Sequence, residues 1–215
     1  MERNLQLSLL IVLAMVIATA WYYPQLPSRM DTHWDAQGAA NGASGKAFGS
    51  WLSPILALVM LALFAVIPRI DPLQKNMRRY QGQYWLLVLL ITGYLAYMQA
   101  LILAWNLGHR FVFTTALMPA FALLFFGIGS LIRDVPRNWF MGIRTPWSLS
   151  SDAAWKLTHE KGAALFKAAG ILALVGLAFP RQAIWLLIGG GLVAGIGSVA
   201  WSYVAWKRTN KKDKR

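Results

Sequence analysis

The chain is organised around the stretch Asn138-Trp-Phe-Met-Gly-Ile-Arg-Thr-Pro-Trp-Ser-Leu-Ser-Ser-Asp-Ala-Ala-Trp-Lys-Leu-Thr-His-Glu-Lys-Gly162. It places three tryptophans, a Gly-Ile-Arg-Thr-Pro turn and a Trp-Lys-Leu-Thr-His run between two strongly apolar segments. Apolar segments can be built from many sequences, whereas a loop this rich in ring, guanidinium and hydroxyl groups has a narrower set of uses. We therefore take this loop as the first candidate for a functional site.

The composition is that of an integral membrane protein. Of the 215 residues, 57% are hydrophobic and 13% are charged, against about 25% charged residues in a soluble domain. Six apolar segments are long enough to cross a bilayer, which takes about 20 residues each. They are Leu5–Tyr23, Phe48–Ile67, Gln83–Trp105, Phe111–Ile132, Gly162–Phe179 and Ala183–Trp206. The sequence therefore predicts an all-α integral membrane protein, a bundle of six transmembrane helices forming one membrane domain.

The basic residues predict the orientation of these helices. Sixteen Lys and Arg residues lie at the termini and in the links on the same side, and four lie in the alternate links. Lys and Arg accumulate on the cytoplasmic side, so both termini and the loop 133–161 are predicted to be cytoplasmic. The net charge of +13 follows from the same rule and requires no direct contact with nucleic acid. A signal peptide ending at Ala18-Thr19-Ala20 is an alternative for the first segment, and it leaves the loop 24–47 outside as well.

The loop 24–47 is polar and rich in proline and glycine, which predicts turns rather than strands. Asp31, His33 and Asp35 could be drawn as a metal site, but three neighbouring ligands are a weak signal. The favoured interpretation is a folded loop in which His33 donates to a carboxylate or carbonyl oxygen. Trp34 is then expected at the bilayer interface.

The sequence predicts no catalytic residues, no cofactor and no metal. All eight acidic residues lie outside the apolar segments, cysteine is absent, and the predicted topology separates two of the three histidines from the third. An enzyme would need a reactive pair, which the sequence does not offer. A small transporter or a protein that handles lipid or peptide stays open as an alternative, since it needs only a polar pathway through the bundle. The candidates for that pathway are Thr92, Tyr94, Tyr97, Gln99, Thr114 and Thr115.

Within the loop 133–161, the residue pattern predicts a turn followed by a short interfacial helix before the fifth span, either separate from that span or continuous with it. Gly142 is expected to supply a positive φ, and Ser148 to Asp152 reads as a helix start. On the helix Asp152–Glu160 and just beyond it, Trp155, Thr158, His159 and Gly162 fall on one face. Arg144 is expected to hold backbone carbonyls or a carboxylate. Such a loop suits a docking or gating surface. The alternative is an elbow whose tryptophans rest among lipid headgroups.

The same residues resemble a known family. The pattern Asn-x-x-x-Gly-Ile-Arg-Thr-x-Trp-Thr-Leu, followed by Trp-x-x-Thr-His, is that of the SdpI family of bacterial membrane proteins. The positions that match are Asn138, Gly142, Arg144, Thr145, Trp147, Trp155, Thr158 and His159, with Ser148 in place of a threonine. The family gives immunity to a secreted sporulation-delaying peptide toxin.

The loop 24–47 is similar to the small DUF1648-like domain that often precedes this family region. The positions that fit are Leu26, Pro27, His33, Trp34, Gly38 and Lys46. Two positions depart from the pattern, because Asp31 stands where a second proline is usual and Asn41 where an aspartate is common. The resemblance divides the chain into a two-span unit, 1–67, with the extracytoplasmic loop 24–47, and a four-span unit, 68–215, with the motif loop 133–161.

The resemblance implies a multi-pass protein of the bacterial cell membrane that protects against a peptide toxin. For the best-known member it also implies signalling, in which a small winged-helix repressor is sequestered at the membrane. The implied partners are membrane lipids, a peptide toxin outside and that repressor inside. The two groups of matching residues, one in each loop, are then the candidates for toxin binding, partner binding or switching.

Overall fold

The computed structural model describes residues 2–70 and 74–212. Six helices form its main body, and each is long and apolar enough to cross a membrane. They are α1 (Glu2–Tyr22), α2 (Lys46–Ile70), α3 (Gln74–Asn106), α4 (Phe113–Ile132), α5 (Asp152–Ala178) and α6 (Ala183–Lys212). The six predicted segments are therefore confirmed as helices. Residues 71–73 of the first predicted cytoplasmic link and residues 213–215 of the predicted cytoplasmic tail lie outside the described residues.

Pro54 interrupts the backbone hydrogen bonds of α2, and α3 supplies the missing donor. A proline at position 54 has no N–H for the carbonyl of Ser50, one turn earlier. Gln99 Nε2 donates to Ser50 O over 2.9 Å and to Thr19 Oγ1 over 2.8 Å. All three partners of this contact are buried, so one amide joins α1, α2 and α3 at a depth where water is scarce.

A second proline of α2 has the same kind of compensation. Pro68 leaves the carbonyl of Phe64 without its helical donor, and the hydroxyl of Tyr84 donates to that oxygen over 2.6 Å. The rings of Phe64 and Tyr84 also meet edge to face, with centroids 6.3 Å apart. Both carbonyl groups freed by proline in α2 are thus satisfied by side chains of α3.

The helices α4 and α5 approach each other closely through glycine. A Cβ at Gly129 would lie 2.6 Å from Ala163 O, and one at Gly170 would lie 2.8 Å from Ala122 O. Both oxygens belong to the backbone of a helix, which cannot move aside without a large cost in free energy. These contacts fix the position of α5, whose first turns carry the candidate site.

A two-stranded antiparallel sheet links α1 to α2, so the prediction of turns rather than strands in the loop 24–47 is wrong. Its strands are β1 (Arg29–Trp34) and β2 (Ala40–Gly45). Gly38, with φ of +80°, lies in the connecting turn. Gly42 lies in β2, and glycine suits this position because a Cβ there would lie 2.9 Å from the Cβ of His33 on the neighbouring strand. The all-α description holds for the six long helices and not for this hairpin.

The structure also revises the segment before the fifth span. Asp152–Glu160 is not a separate short helix but the first part of α5, which continues to Ala178. A short 3₁₀ turn, Ser148–Ser150, precedes it. The helix start is where the sequence predicts it, since Ser151 Oγ accepts a hydrogen bond from the N–H of Ala154 over 3.1 Å.

Candidate functional site

Because α5 begins at Asp152, the motif loop of the structure is residues 133–151 rather than the predicted 133–161. It begins with a turn built around the side chain of Asn138. Its Nδ2 donates to Pro136 O over 2.9 Å and to Met141 O over 3.0 Å. Its Oδ1 accepts from the N–H groups of Phe140 and Met141 over 2.8 and 2.6 Å. The amide uses both donors and both acceptor positions within four residues of its own chain. The predicted site residue Asn138 is therefore fully buried and holds the loop in shape.

Gly142 and His159 form the contact that ties the loop to α5. Gly142 has φ of +118°, which confirms the predicted positive φ. The next residue, Ile143, donates its N–H to His159 Nε2 over 2.9 Å. A Cβ at Gly142 would lie 2.3 Å from that same nitrogen. Glycine is therefore required here both by the backbone angle and by the position of the imidazole.

The hydrogen bonds of His159 fix its tautomer. Its Nδ1 lies 2.8 Å from Trp155 O, and a carbonyl oxygen only accepts, so Nδ1 carries the proton. Nε2 then carries the lone pair that accepts from Ile143. The imidazole is completely buried and stacks on the ring of Trp155, with centroids 4.0 Å apart. Both ring nitrogens are engaged, so this histidine is a structural clamp rather than a free acid or base.

Trp155 and Thr158 belong to the face of α5 that the sequence predicts, and both are buried. Trp155 Nε1 donates to Val135 O over 2.7 Å, which binds the start of the motif loop to α5. Thr158 Oγ1 donates to Ala154 O, one turn back in its own helix. Gly162, on the same face, lies against the side chain of Ile143. The four residues predicted to share a face therefore do so, and the structure shows that this face is buried.

Three hydroxyl groups connect the loop to α6. Ser148 Oγ accepts from the N–H of Thr145 over 2.9 Å and donates to Ile143 O over 2.7 Å. Thr145 Oγ1 accepts from the N–H of Ser148 over 3.0 Å and donates to Ser202 Oγ over 2.8 Å. Thr145, Ser148 and Ser202 are buried. Ser202 escapes prediction because it lies in an apolar helix far along the chain, where serine carries no distinguishing signal.

Two arginines lie at the surface of the loop. Arg144 is exposed, and one of its terminal nitrogens donates to Trp139 O over 2.6 Å. The expected contact with a backbone carbonyl is present, through a single nitrogen. Arg137, which the sequence did not single out, donates to Leu149 O over 2.8 Å and pairs through Nε with Asp152 at 3.0 Å. It closes the loop onto the start of α5.

The three tryptophans of the stretch have different surroundings. Trp155 is buried, and the ring of Trp147 meets that of Tyr203 edge to face at 5.2 Å. Trp139 has half of its surface exposed. An elbow with all three rings among lipid headgroups therefore does not describe this loop.

An open cleft of about 370 Å³ lies beside Trp155, between the motif loop and the ends of α3, α4 and α5. Charged side chains of both signs line it. They are Arg79, Arg133, Arg137 and Lys156, with Asp134, Asp152 and Glu160. The surface of the loop that is free to meet a partner is thus strongly polar, whereas the motif residues themselves are mostly buried beneath it.

Asp31 anchors the hairpin to the helices. One of its carboxylate oxygens accepts from Trp105 Nε1 over 2.8 Å and pairs with Arg110 at 3.3 Å. Its backbone N–H donates to Asn106 Oδ1 over 2.8 Å, and its carbonyl accepts from Asn106 Nδ2 over 3.0 Å. These contacts explain why an aspartate suits this position, and they engage the carboxylate that the metal-site alternative would need.

Trp34 and Gly38 pack the tip of the hairpin onto α4. The ring of Trp34 stacks on Phe113 at a centroid distance of 3.6 Å and meets Trp105 edge to face at 5.8 Å. A Cβ at Gly38 would lie 2.9 Å from the backbone nitrogen of Phe113. Trp34, expected at the bilayer interface, is thus held between the hairpin and the helices.

His33 lies at the surface of the hairpin, and Lys46 is the first residue of α2, directly after β2. His33 is exposed, with Nδ1 2.5 Å from Asn41 Oδ1, so it donates to an amide carbonyl as expected. Lys46 Nζ lies 4.6 Å from the ring centre of Tyr23. In residues 2–70 and 74–212, no three His, Cys, Asp or Glu side chains come together as metal ligands would. The carboxylate of Asp35 accepts from the N–H groups of Gln37 and Ala39 in its own turn.

The structure does not bring the two predicted groups of residues together. The hairpin follows the end of α1 and contacts the α3–α4 link, whereas the motif loop joins the far end of α4 to the start of α5. The site is therefore two separate ends of one helical bundle, which we call the hairpin end and the motif end.

Comparison with known proteins finds one relative along the whole chain and two family regions within it. Over 212 residues the chain is 23% identical to Immunity protein SdpI of Bacillus subtilis (strain 168), covering 98% of this chain and 99% of that protein. No solved structure matches it. The chain is a multi-pass protein of the cell membrane. Residues 10–58, which include the hairpin, match the domain of unknown function DUF1648. Residues 134–202, from the motif loop into α6, match the SdpI/YfhL protein family, so the resemblance to the SdpI family is confirmed.

Proposed function

We propose that this protein is a membrane immunity protein that protects its cell against a secreted peptide toxin. The observation that carries the proposal is the similarity to Immunity protein SdpI, which extends over 98% of the chain and so includes both ends of the bundle. The family match at the motif end supports it independently of the hairpin. In this proposal the hairpin end binds the toxin, and the motif end either signals that the toxin is bound or neutralises it.

The proposed orientation places the hairpin outside the cell and the motif end in the cytoplasm. Basic side chains are concentrated at the motif end, where Arg79, Arg133, Arg137, Arg144 and Lys156 lie. Lys and Arg favour the cytoplasmic side of a membrane. Both termini are then cytoplasmic, and a secreted toxin has access to the hairpin.

The motif end is also the proposed docking surface for a small winged-helix repressor. Its buried clamp holds the loop in one shape, and the exposed Arg144 and the charged cleft beside Trp155 form the outer surface. A protein partner with complementary charge would bind such a surface mainly through electrostatic contacts. Toxin sensed outside would then change the availability of this surface inside.

The transporter alternative has little support from the polar residues that it needs. Gln99 bonds to Thr19 and to the carbonyl of Ser50, and Thr92 donates to Val88 O in its own helix. Tyr97 donates to Ala116 O on α4. Gln99 and Tyr97 thus join neighbouring helices, and Thr92 bonds within α3, so these three groups are engaged by the protein itself.

The proposal is tested by survival of toxin-sensitive bacteria. Cells that produce the full chain should survive the sporulation-delaying peptide toxin at concentrations that kill cells carrying an empty vector. Membrane abundance of the protein is measured in parallel. Equal killing of both strains, with the protein present in the membrane, would overturn the immunity proposal.

A further inference from the structure

One outer edge of the hairpin is already occupied. The side-chain amide of Asn106 bonds to both the N–H and the carbonyl of Asp31, as a neighbouring strand would. Asn106 also donates to Ile102 O in α3, which holds the amide in place. The outer edge of β1 is therefore closed by α3.

The register shows which groups of β2 point to the opposite edge. Asp31 is paired with Ala43, and since both backbone groups of Asp31 point away from β2, this is a pair without hydrogen bonds between its two members. The N–H and carbonyl of Ala43 then point outward from the sheet. The same alternation applies to Gly45, which is paired with Arg29. Ala43 and Gly45 are exposed, and within the described part of the chain no hydrogen bond reaches the outward groups of Ala43. The carbonyl of Gly45 is already engaged, because α2 begins at Lys46 and the residue before a helix accepts its first backbone bond. Gly45 therefore offers only its N–H at this edge.

The side chains of β2 do not protect this edge. The strand reads Ala-Asn-Gly-Ala-Ser-Gly and contains neither proline nor a charged residue. Natural sheets usually guard an exposed edge with charge, proline or a covering segment. Here the edge is open and its side chains are small, so another backbone can approach within hydrogen-bonding distance.

Two cations flank the same end of β2. Arg29 lies opposite Gly45, and Lys46 follows Gly45 directly. The carboxylates of the hairpin are engaged elsewhere, since Asp31 pairs with Arg110 and Asp35 accepts bonds from its own turn. Among the residues that the structure describes, no carboxylate pairs with Arg29 or Lys46. A carboxylate supplied from outside would complement them.

We propose that β2 binds an extended segment of the peptide toxin as a third strand, with a toxin carboxylate near Arg29 and Lys46. This inference rests on the proposed immunity function and specifies how the hairpin end recognises its ligand. Main-chain hydrogen bonds to both backbone groups of Ala43 and to the N–H of Gly45 supply affinity with little dependence on the peptide's side chains. The two cations set the direction in which the peptide lies.

A proline at position 43 tests the inference. Ala43→Pro removes the outward N–H and no hydrogen bond of the hairpin, since position 43 does not bond to β1, and proline is tolerated at such an edge position. Ala43→Val is the matched control, because it keeps the N–H and adds comparable bulk. Binding of the sporulation-delaying peptide toxin is measured with the full chain in lipid nanodiscs, and melting temperatures confirm that each variant is folded.

We expect Ala43→Pro to weaken binding about tenfold, the value of one net hydrogen bond, with Ala43→Val within about twofold of the original chain. The exchange of amide hydrogens in β2 should also slow when the toxin is bound. Equal binding by the original chain and a folded Ala43→Pro variant would overturn the added strand and leave the immunity proposal intact. Absence of toxin binding by the original chain would overturn both.

Discussion

The hydroxyl of Tyr84 lies 2.6 Å from the carbonyl oxygen of Phe64, the oxygen that loses its helical donor because residue 68 is proline. The contact joins α2 to α3 near the motif end, and the Gln99 amide makes the equivalent contact near the hairpin end. Each proline in α2 is thus paired with a donor in α3. The pairing predicts that changes to a proline and to its donor do not have additive effects on the free energy of unfolding.

Tyr84→Phe should lower the stability of the original chain by about 1 kcal/mol, because a buried carbonyl loses its donor. In a Pro68→Ala background, Tyr84→Phe should lower the free energy of unfolding clearly less, since residue 68 then provides an N–H to Phe64 O. The free energy of unfolding of the four proteins, measured in detergent, gives the coupling between the positions. A coupling of zero would show that the tyrosine hydroxyl does not compensate for the proline.

Gly142→Ala should destabilise the motif end strongly. The added Cβ would lie 2.3 Å from His159 Nε2, and the backbone has φ of +118°, a conformation that costs a non-glycine residue about 1–2 kcal/mol on its own. Gly82→Ala is the control, because Gly82 is in α3 and a Cβ there meets nothing within 4 Å. Thermal unfolding should show a lower melting temperature for Gly142→Ala and no loss, or a slight gain, for Gly82→Ala.

His159→Phe keeps a ring against Trp155 but removes both hydrogen-bonding nitrogens. The N–H of Ile143 is then left without its acceptor, which typically costs about 1–3 kcal/mol for a buried group. Thr158→Val is the control, because the Thr158 hydroxyl bonds only to a carbonyl of its own helix. Limited proteolysis of the loop 133–151 reports the effect locally. Equal cleavage of both variants would contradict the role of His159 as the clamp of this loop.

The sequence allowed the helices and several local features of the motif loop to be predicted, because each depends on local chemistry. Apolar length identifies a spanning helix, Ser151 before Asp152 identifies a helix start, and Gly142 identifies a positive φ. Spacings of three and four residues place Trp155, Thr158 and His159 on one face. None of these inferences requires knowledge of distant parts of the chain.

Contacts between distant segments were not predictable in the same way. Asn106 bonds to Asp31 across 75 positions of the chain, and Thr145 bonds to Ser202 across 57. The hairpin was predicted as turns because glycine is usually a poor strand residue, yet Gly42 is needed where His33 passes close to the backbone. Such pairings become visible only when both partners are placed in space.

Single cysteines test the proposed orientation, because the chain has none of its own. Gln37→Cys, Ser150→Cys and Asn210→Cys place a thiol at three exposed positions. A membrane-impermeant maleimide added to intact cells should label position 37 and not positions 150 or 210, and permeabilised cells should be labelled at all three. Labelling of position 150 from outside would reverse the proposed sides of the two ends.

The variant Arg144→Lys tests whether the motif end is a docking surface or has a purely structural role. Lysine keeps the positive charge but lacks the planar arrangement of donors. Arg144 is exposed, and one of its terminal nitrogens donates to Trp139 O. Within the described residues its other donors have no partner, so they can contact a bound protein. We expect Arg144→Lys to lower the survival of cells in the presence of toxin while membrane abundance stays at the original level.

Arg181→Lys, at the exposed link between α5 and α6, is the control. Cells that carry it should survive as well as cells with the original chain. If the loop only supports the bundle, cells with Arg144→Lys should survive as well as cells with Arg181→Lys. His159→Phe should then lower survival only as far as it lowers the amount of protein in the membrane. Survival normalised to abundance therefore decides between the two, and unchanged values for both Arg144→Lys and His159→Phe would assign the motif loop a purely structural role.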